Sequence, residues 1–299
     1  MTLVERLNAY ERLMRLDKPI GMLLLLWPCL WGLWFAAYGV PDFDILLVFL
    51  TGTILVRSGG CAVNDYADRD FDGQVERTRE RPLAARVIAP WEALCLAGVL
   101  FAIAFLLVLQ LNRLTVTLSV VALGLVVVYP FLKRVFPLPQ AWLGIAFGFS
   151  IPMAYAAQYG TIPAVAWTLV AANTLWAIAY DTEYAMVDRE DDKRLGLKSS
   201  AILLGKYDVM GVVACHLVFL LLMVYVGEWQ FMGPLYYVGI LVAAVLVGYQ
   251  YHLIGTRDRA ACFKAFLNNN WVGCAIFIGI AGDLALRRLL YGATPNFGQ

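Results

Sequence analysis

The sequence predicts an all-α, polytopic membrane bundle of about nine transmembrane helices around a central cavity, with two Asp-rich cytoplasmic loops. Three observations predict it. Only 15% of the chain is charged and 61% is hydrophobic, against roughly 25% charged in soluble domains, so an aqueous surface cannot cover it. Charge-free apolar runs recur along the whole length, most of them long enough to cross a bilayer. The basic residues are also placed on one side: of 23 Lys and Arg, only Arg113, Arg287 and Arg288 fall on the other. That excess assigns the N-terminal tail and alternate loops to the cytoplasm.

In order, the tail up to Lys18 carries interspersed charge, which argues against a cleavable signal peptide and for a first span that is retained. Spans are expected near 20–38, 44–63, 92–110, 114–132, 139–158, 164–180, 209–226, 233–254 and 268–287. The unbroken run 135–180 is long enough for two helices, and Gly160-Thr161-Ile162-Pro163 is the natural break. Pro28 and Pro152 lie inside spans and should kink them. The whole of 1–299 reads as one integral-membrane domain. It divides into pseudo-repeat halves, 19–132 and 139–254, with an extra helix at 268–287.

Each half ends a span in acids. Asn64-Asp65-Tyr66-Ala67-Asp68-Arg69-Asp70-Phe71-Asp72 follows the second span, and the stretch from Asp181 through Asp188 to Asp191-Asp192 follows the sixth. Asp68 and Asp72 are spaced like Asp188 and Asp192, and the two pairs are offset by 120 residues. Residues three and four apart share a helical face. An even number of spans lies between the stretches, so both emerge on the cytoplasmic side, each before a long loop (64–91 and 181–208).

Carboxylates gathered this densely repel unless a cation joins them, and clusters at membrane depth mark function. Hard oxygen donors without His or Cys suit Mg²⁺ or Ca²⁺. Mg²⁺ takes one or two carboxylates and completes its shell with water and phosphate oxygens. The same loops carry Arg69, Arg77, Arg79, Arg81, Lys193, Arg194 and Lys198, which suits a metal–diphosphate better than a bare cation path. Arg57 lies two helical turns before Asn64 and should sit deeper on its face, where it would seek an anion. A lipid diphosphate whose tail stays in the bilayer is the simplest substrate. If it is allylic, loss of diphosphate leaves a cation that aromatic faces stabilise and water would trap. The six cysteines and His216 and His252 form no ligand cluster and read as packing residues.

Asn64-Asp65-x-x-Asp68-x-x-x-Asp72 and Tyr180 to Asp192 resemble the two Asp-rich motifs of the UbiA-type membrane prenyltransferases. Arg15-Leu-Asp-Lys-Pro-Ile-Gly21, Tyr129-Pro-Phe-Leu-Lys-Arg134 and Gly196-Leu-Lys198-Ser-Ser-Ala201 are similar to the 4-hydroxybenzoate polyprenyltransferase branch. The resemblance runs from about residue 10 to 210 and implies Mg²⁺-dependent prenylation in the bacterial inner membrane. A polyprenyl diphosphate would alkylate 4-hydroxybenzoate ortho to its hydroxyl, an early step toward ubiquinone. It implies Asp68, Asp72, Asp188 and Asp192 as catalytic metal-binding acids, with Asn64, Asp65, Asp181 and Asp191 joining or supporting them. Arg57, Arg77, Lys133, Arg134, Lys193 and Lys198 are the substrate-binding candidates.

Two other readings stay open on the residues. The same chemistry could serve another acceptor, such as a naphthoate, a haem or a tocopherol precursor. A cation transporter would also use membrane acids, although its clusters should lie mid-span. A nucleotide-alcohol phosphotransferase lacks its Asp-Gly-x-x-Ala-Arg element here. Nothing in the residues points to nucleic acid. Prenyl length, oligomeric state and the ring's proton acceptor are not encoded in readable form.

Overall fold

The computed structural model describes residues 2–75, 77–132 and 134–291. Among them there is no strand. The chain runs α1 (Leu3–Leu13), α2 (Ile20–Ala37), α3 (Phe43–Asp68), α4 (Pro90–Val108), α5 (Arg113–Leu132) and α6 (Pro139–Gly148). It continues through α7 (Ser150–Tyr159), α8 (Ala164–Leu195), α9 (Ser200–Leu204), α10 (Asp208–Trp229), α11 (Pro234–Ile254) and α12 (Arg259–Tyr291). Six of the helices are long and apolar enough to cross a membrane. Every expected span falls on helix, but three depart from the simple form. The run 139–158 is two short helices, and the segments at 164–180 and 268–287 belong to longer helices, α8 and α12, that carry polar residues well past the apolar stretch.

The breaks have local causes. Pro152 has no N–H to donate, and its ring crowds the carbonyl of Gly148, the last residue of α6. At the next break Gly160 takes a left-handed φ of 72°, and Pro163 then precedes α8. Pro28 is accommodated within α2.

The second acidic stretch was expected to open a long loop; it is helix. From Ala164 to Leu195 the chain is rich in Ala and free of Gly and Pro, so nothing stops propagation. Gly196, at φ 68°, ends it, and its N–H reaches back to the Asp192 and Lys193 carbonyls. The first stretch behaves differently. α3 ends at Asp68, and Asp72 opens a single 3₁₀ turn, so Asp68 and Asp72 do not share a helical face as their spacing suggested.

α2 and α8 run through the middle, α8 packing on α6, α10 and α12, and α2 on α3, α7 and α12. Their contact is aromatic: Trp31 lies 5.1 Å from Trp176, which stacks on Phe219 at 5.8 Å. Such pairs contribute about 0.5–1.5 kcal/mol each beyond area. Where lipid replaces water, buried polar contacts add specificity. The Asn269 amide donates to Glu183 at 2.8 Å and accepts from Trp176 Nε1 at 2.9 Å, with His216 Nε2 at 3.3 Å. One side chain thereby ties α8, α10 and α12. The packing reading of His216 holds, and the cysteines are all free.

Candidate active site

Two cavities meet at Tyr129. The larger, about 180 Å³, lies among α2 to α7 and is walled by apolar side chains such as Phe49, Phe101, Phe105, Leu123 and Phe147, with Arg57 and Asn64 on its wall. The smaller, about 100 Å³, is a polar mouth lined by Asp68, Asp72, Asp181, Asp188 and Asp192 together with Arg77, Arg81 and Lys198. Tyr129 lines both.

Each acid has a traceable position. Asp68, at the end of α3, accepts from the Asn64 amide at 3.2 Å, so Asn64 lies between chamber and mouth. Asp72 accepts from Arg81 Nη1 at 2.8 Å. Burial pushes the Asp72 carboxyl above the ordinary Asp value; Arg81 opposes that push, while Asp65 and Asp68 add to it. Arg81 is itself buried, which works against its charge, yet Asp65 and Asp72 hold it firmly protonated. On α8, Asp188 receives a two-pronged contact from Arg77, with Nη2 at 2.6 Å and Nε at 3.1 Å from both oxygens. This pair joins the two acidic stretches directly. The Arg77 guanidinium also lies over the Tyr184 ring at 4.6 Å.

Other candidates point elsewhere. Asp65 is buried and bridges Arg15 at 2.8 Å and Arg81 at 3.1 Å. Asp191 turns toward α12, 3.5 Å from Arg259. Glu183, in the same acidic stretch, faces the core at Asn269. Lys193 pairs with Glu190 on the exposed side of α8. Lys198 stays at the mouth, its Nζ 3.0 Å from the Val135 carbonyl. Arg134 donates to the Ala67 carbonyl at 2.7 Å and covers the Phe71 ring at 5.2 Å. Lys133 lies outside the described residues.

Arg57 lines the same chamber as Asn64. Its Nε is closed off from solvent without a hydrogen-bond partner, and its guanidinium stands 5.7 Å from Phe147. Room for it depends on Gly21: a Cβ there would come within 2.4 Å of Nη2. A partly desolvated guanidinium with a donor unused is suited to a small anion.

Sequence reasoning did not single out Arg81, Tyr184, Gln140 or Thr78, all at the mouth. Arg81 was visible as one of several loop arginines, but no spacing distinguished it. Gln140 accepts from the Ser200 N–H at 3.0 Å and pins the 196–204 segment beside the mouth; nothing in its neighbourhood of sequence marks that role.

The donor set suits Mg²⁺. Among the described residues no three His, Cys, Asp or Glu side chains converge as a ready-made cage. Mg²⁺ needs none, since it binds through one or two carboxylates, water and phosphate. The mouth presents carboxylate oxygens from two helix ends with arginine and lysine between them, an arrangement able to hold a divalent cation and a polyphosphate together.

The UbiA prenyltransferase family matches residues 25–273. The chain is 63% identical over 287 residues to a 4-hydroxybenzoate octaprenyltransferase of Nitrosospira multiformis, covering 96% of this chain and 99% of that one. It is 57% identical over 283 residues to the protein of the same description from Azoarcus sp., covering 95% and 99%. Among solved structures it is similar to the apo structure of a UbiA homolog from Aeropyrum pernix K1, with TM-score 0.79, 26% identity and 88% of this chain and 98% of that one covered. The fold is shared with a UbiA homolog from Archaeoglobus fulgidus bound to GPP and Mg²⁺, at TM-score 0.68 and 18% identity, covering 92% and 99%.

Proposed function

The chain belongs to the UbiA prenyltransferase family, and from that premise we propose that it transfers a polyprenyl chain from its diphosphate to 4-hydroxybenzoate. The new bond forms at the ring carbon ortho to the hydroxyl, in ubiquinone biosynthesis. The observation that carries the reading is the meeting of an apolar chamber and a mixed acid–base mouth at Tyr129. An amphiphile with a diphosphate head and a prenyl tail has the same division. The name shared by relatives more than half identical over nearly the whole chain supplies the acceptor.

Asp68, Asp72, Asp188 and Asp192 would hold Mg²⁺, with Asn64 and Asp181 beside them, while Asp65 steadies Arg81 and Asp191 ties α8 to Arg259. When bound, Mg²⁺ neutralises charge that develops on the departing diphosphate. Arg77, Arg81 and Lys198 lie where they can take up diphosphate oxygens. Arg77 and Arg81 would exchange their carboxylate partners for phosphate as the head group enters. The prenyl tail extends into the chamber, whose apolar walls exclude the water that would quench an allylic cation. Arg57 is positioned to receive the carboxylate of 4-hydroxybenzoate, so that the ring faces the reacting carbon from the chamber wall. The C–O bond to diphosphate breaks, the ring carbon forms the new C–C bond, and the ring proton leaves to restore aromaticity. Arg134, fixed on Ala67 and Phe71, holds the end of α3 that carries Asp68.

The bundle crosses the bacterial inner membrane about nine times, counting the bent α6–α7 pair, α8 and α12 with the six apolar helices. Its mouth opens to the cytoplasm, where most of the basic residues lie. Purified protein in vesicles, given a prenyl diphosphate and in parallel 4-hydroxybenzoate, a naphthoate and a tocopherol precursor, tests the reading. Mg²⁺-dependent product with 4-hydroxybenzoate alone is expected. Product with another acceptor in preference, or turnover undiminished by a chelator, would overturn it.

A further inference from the structure

The N-terminal helix α1 takes no part in either cavity, yet it is tied to the mouth from outside. Its start is set locally: Thr2 Oγ1 accepts from the Glu5 N–H, and Glu5 Oε2 accepts from the Thr2 N–H. One side of the helix packs on the protein. Ala9 and Leu13 are buried, the latter in a cluster with Leu83 and Ile88 from the segment that follows the first acidic stretch. Arg6 and Tyr10 reach Glu92 at 2.6 and 2.5 Å, fixing α1 to the first turn of α4. Arg12 Nη2 donates to the Glu80 carbonyl at 2.5 Å, and Arg15 holds Asp65. Glu80 is the residue before Arg81.

A second side is apolar and uncovered. Leu3 is 75%, Val4 66% and Leu7 56% exposed, and Leu3, Leu7 and Met14 fall on one face by their spacing of four and seven. The third side, with Glu5, Asn8 and Arg12, is polar, and on the apolar side Glu11 falls between Leu7 and Val4, one turn further along the helix. A helix with one face on protein, one apolar and one charged suits the boundary between bilayer and water. Its neighbour agrees. Glu92 brings α1 beside the start of α4, where Trp91 is 64% exposed and Val87 and Leu94 are exposed as well. Tryptophan concentrates at the headgroup level, so the apolar face of α1 continues the lipid-facing surface of α4 at the depth where that surface ends.

We propose that α1 is an interfacial anchor: Leu3, Val4 and Leu7 insert into the phospholipid layer around the mouth, and the helix straps the 77–88 segment in place. The occupant of the apolar face is lipid. Membrane attachment thereby holds the segment that carries Arg77 and Arg81, through Arg12 on Glu80 and Leu13 on Leu83.

The test uses the full chain in phosphatidylethanolamine–phosphatidylglycerol vesicles. A Leu7→p-benzoylphenylalanine variant, irradiated and weighed by mass spectrometry, is expected to carry phospholipid adducts, and an Asn8→p-benzoylphenylalanine variant is expected to carry none. Absence of lipid at position 7, or crosslinking there to a second copy of the chain, would overturn the anchor. The strap has its own readout that needs no turnover. In a Leu3→Glu/Leu7→Glu variant, amide exchange over 77–88 should quicken several-fold while exchange in α10 and α11 stays as in the parent. Unchanged exchange over 77–88 would overturn it.

Discussion

The two acidic helix ends start from the same spacing and are built differently. At the end of α3 the helix stops at Asp68, and the chain folds over so that Asp65 and Asp72 close on one buried guanidinium, Arg81. At the end of α8 the helix continues to Leu195, and its acids spread around the helix, from the buried Glu183 to the exposed Glu190. Asp188 is met by Arg77 from the other half, and Asp191 by Arg259 from α12. Asp208 braces the same end from behind through Arg189 and Arg257. The segment after the first end therefore supplies an arginine to each end, Arg81 to Asp72 and Arg77 to Asp188. A repeat in sequence fixes which residue types recur; it does not make the two copies equivalent in charge or burial. The two ends thus differ in how their charge is met: the α3 end closes on an arginine a few residues further along the chain, while the α8 end takes its arginines from distant segments.

Five variants can break or sharpen that contrast. The largest effect is expected from Asp68→Asn combined with Asp188→Asn, which removes one acid from each end. Turnover should fall about 10³-fold, with the fold retained by circular dichroism; substantial remaining activity would sink the assignment of both acids. Next is Arg81→Met. It strands the buried Asp72 and leaves Asp65 with Arg15 alone, and breaking a buried pair costs about 3 kcal/mol, read as a lower midpoint in thermal unfolding. The matching change at the other end, Arg77→Met, concerns a pair whose arginine is a third exposed and should cost no more than about 1 kcal/mol. Its signature is a raised KM for the prenyl diphosphate. Equal stability losses at the two positions would erase the contrast. Gly21→Ala should displace Arg57 and raise KM for 4-hydroxybenzoate about tenfold, the equivalent of one charge-assisted hydrogen bond weakened. The smallest is Gly196→Ala, which places a Cβ at φ 68° and should cost about 1 kcal/mol at the end of α8, seen as faster exchange in 190–199.

Much of this was legible before any coordinates. Apolar runs marked every span because hydropathy is a property of composition, and Gly160 to Pro163 marked a break because turn chemistry is local. The extent of α8 was also local in origin, but the acids drew attention away from the absence of Gly and Pro between Ala164 and Leu195. Six of the eight acid and amide candidates, from Asn64 to Asp192, line the chamber or the mouth. Asp65 and Asp191 do not, since a helical face includes more positions than a cavity can use.

Sequence alone thus determined that the chain lives in a bilayer, where its apolar segments lie, and that two acid-rich stretches with basic neighbours are the candidates for its chemistry. These follow from near-neighbour patterns that survive any packing. The tertiary structure decided the partners: Arg77 reaching Asp188, Arg81 between Asp65 and Asp72, and Arg57 behind Gly21. Such contacts join residues far apart in the chain, and only the way α2, α3 and α8 pack determines which side chains can touch.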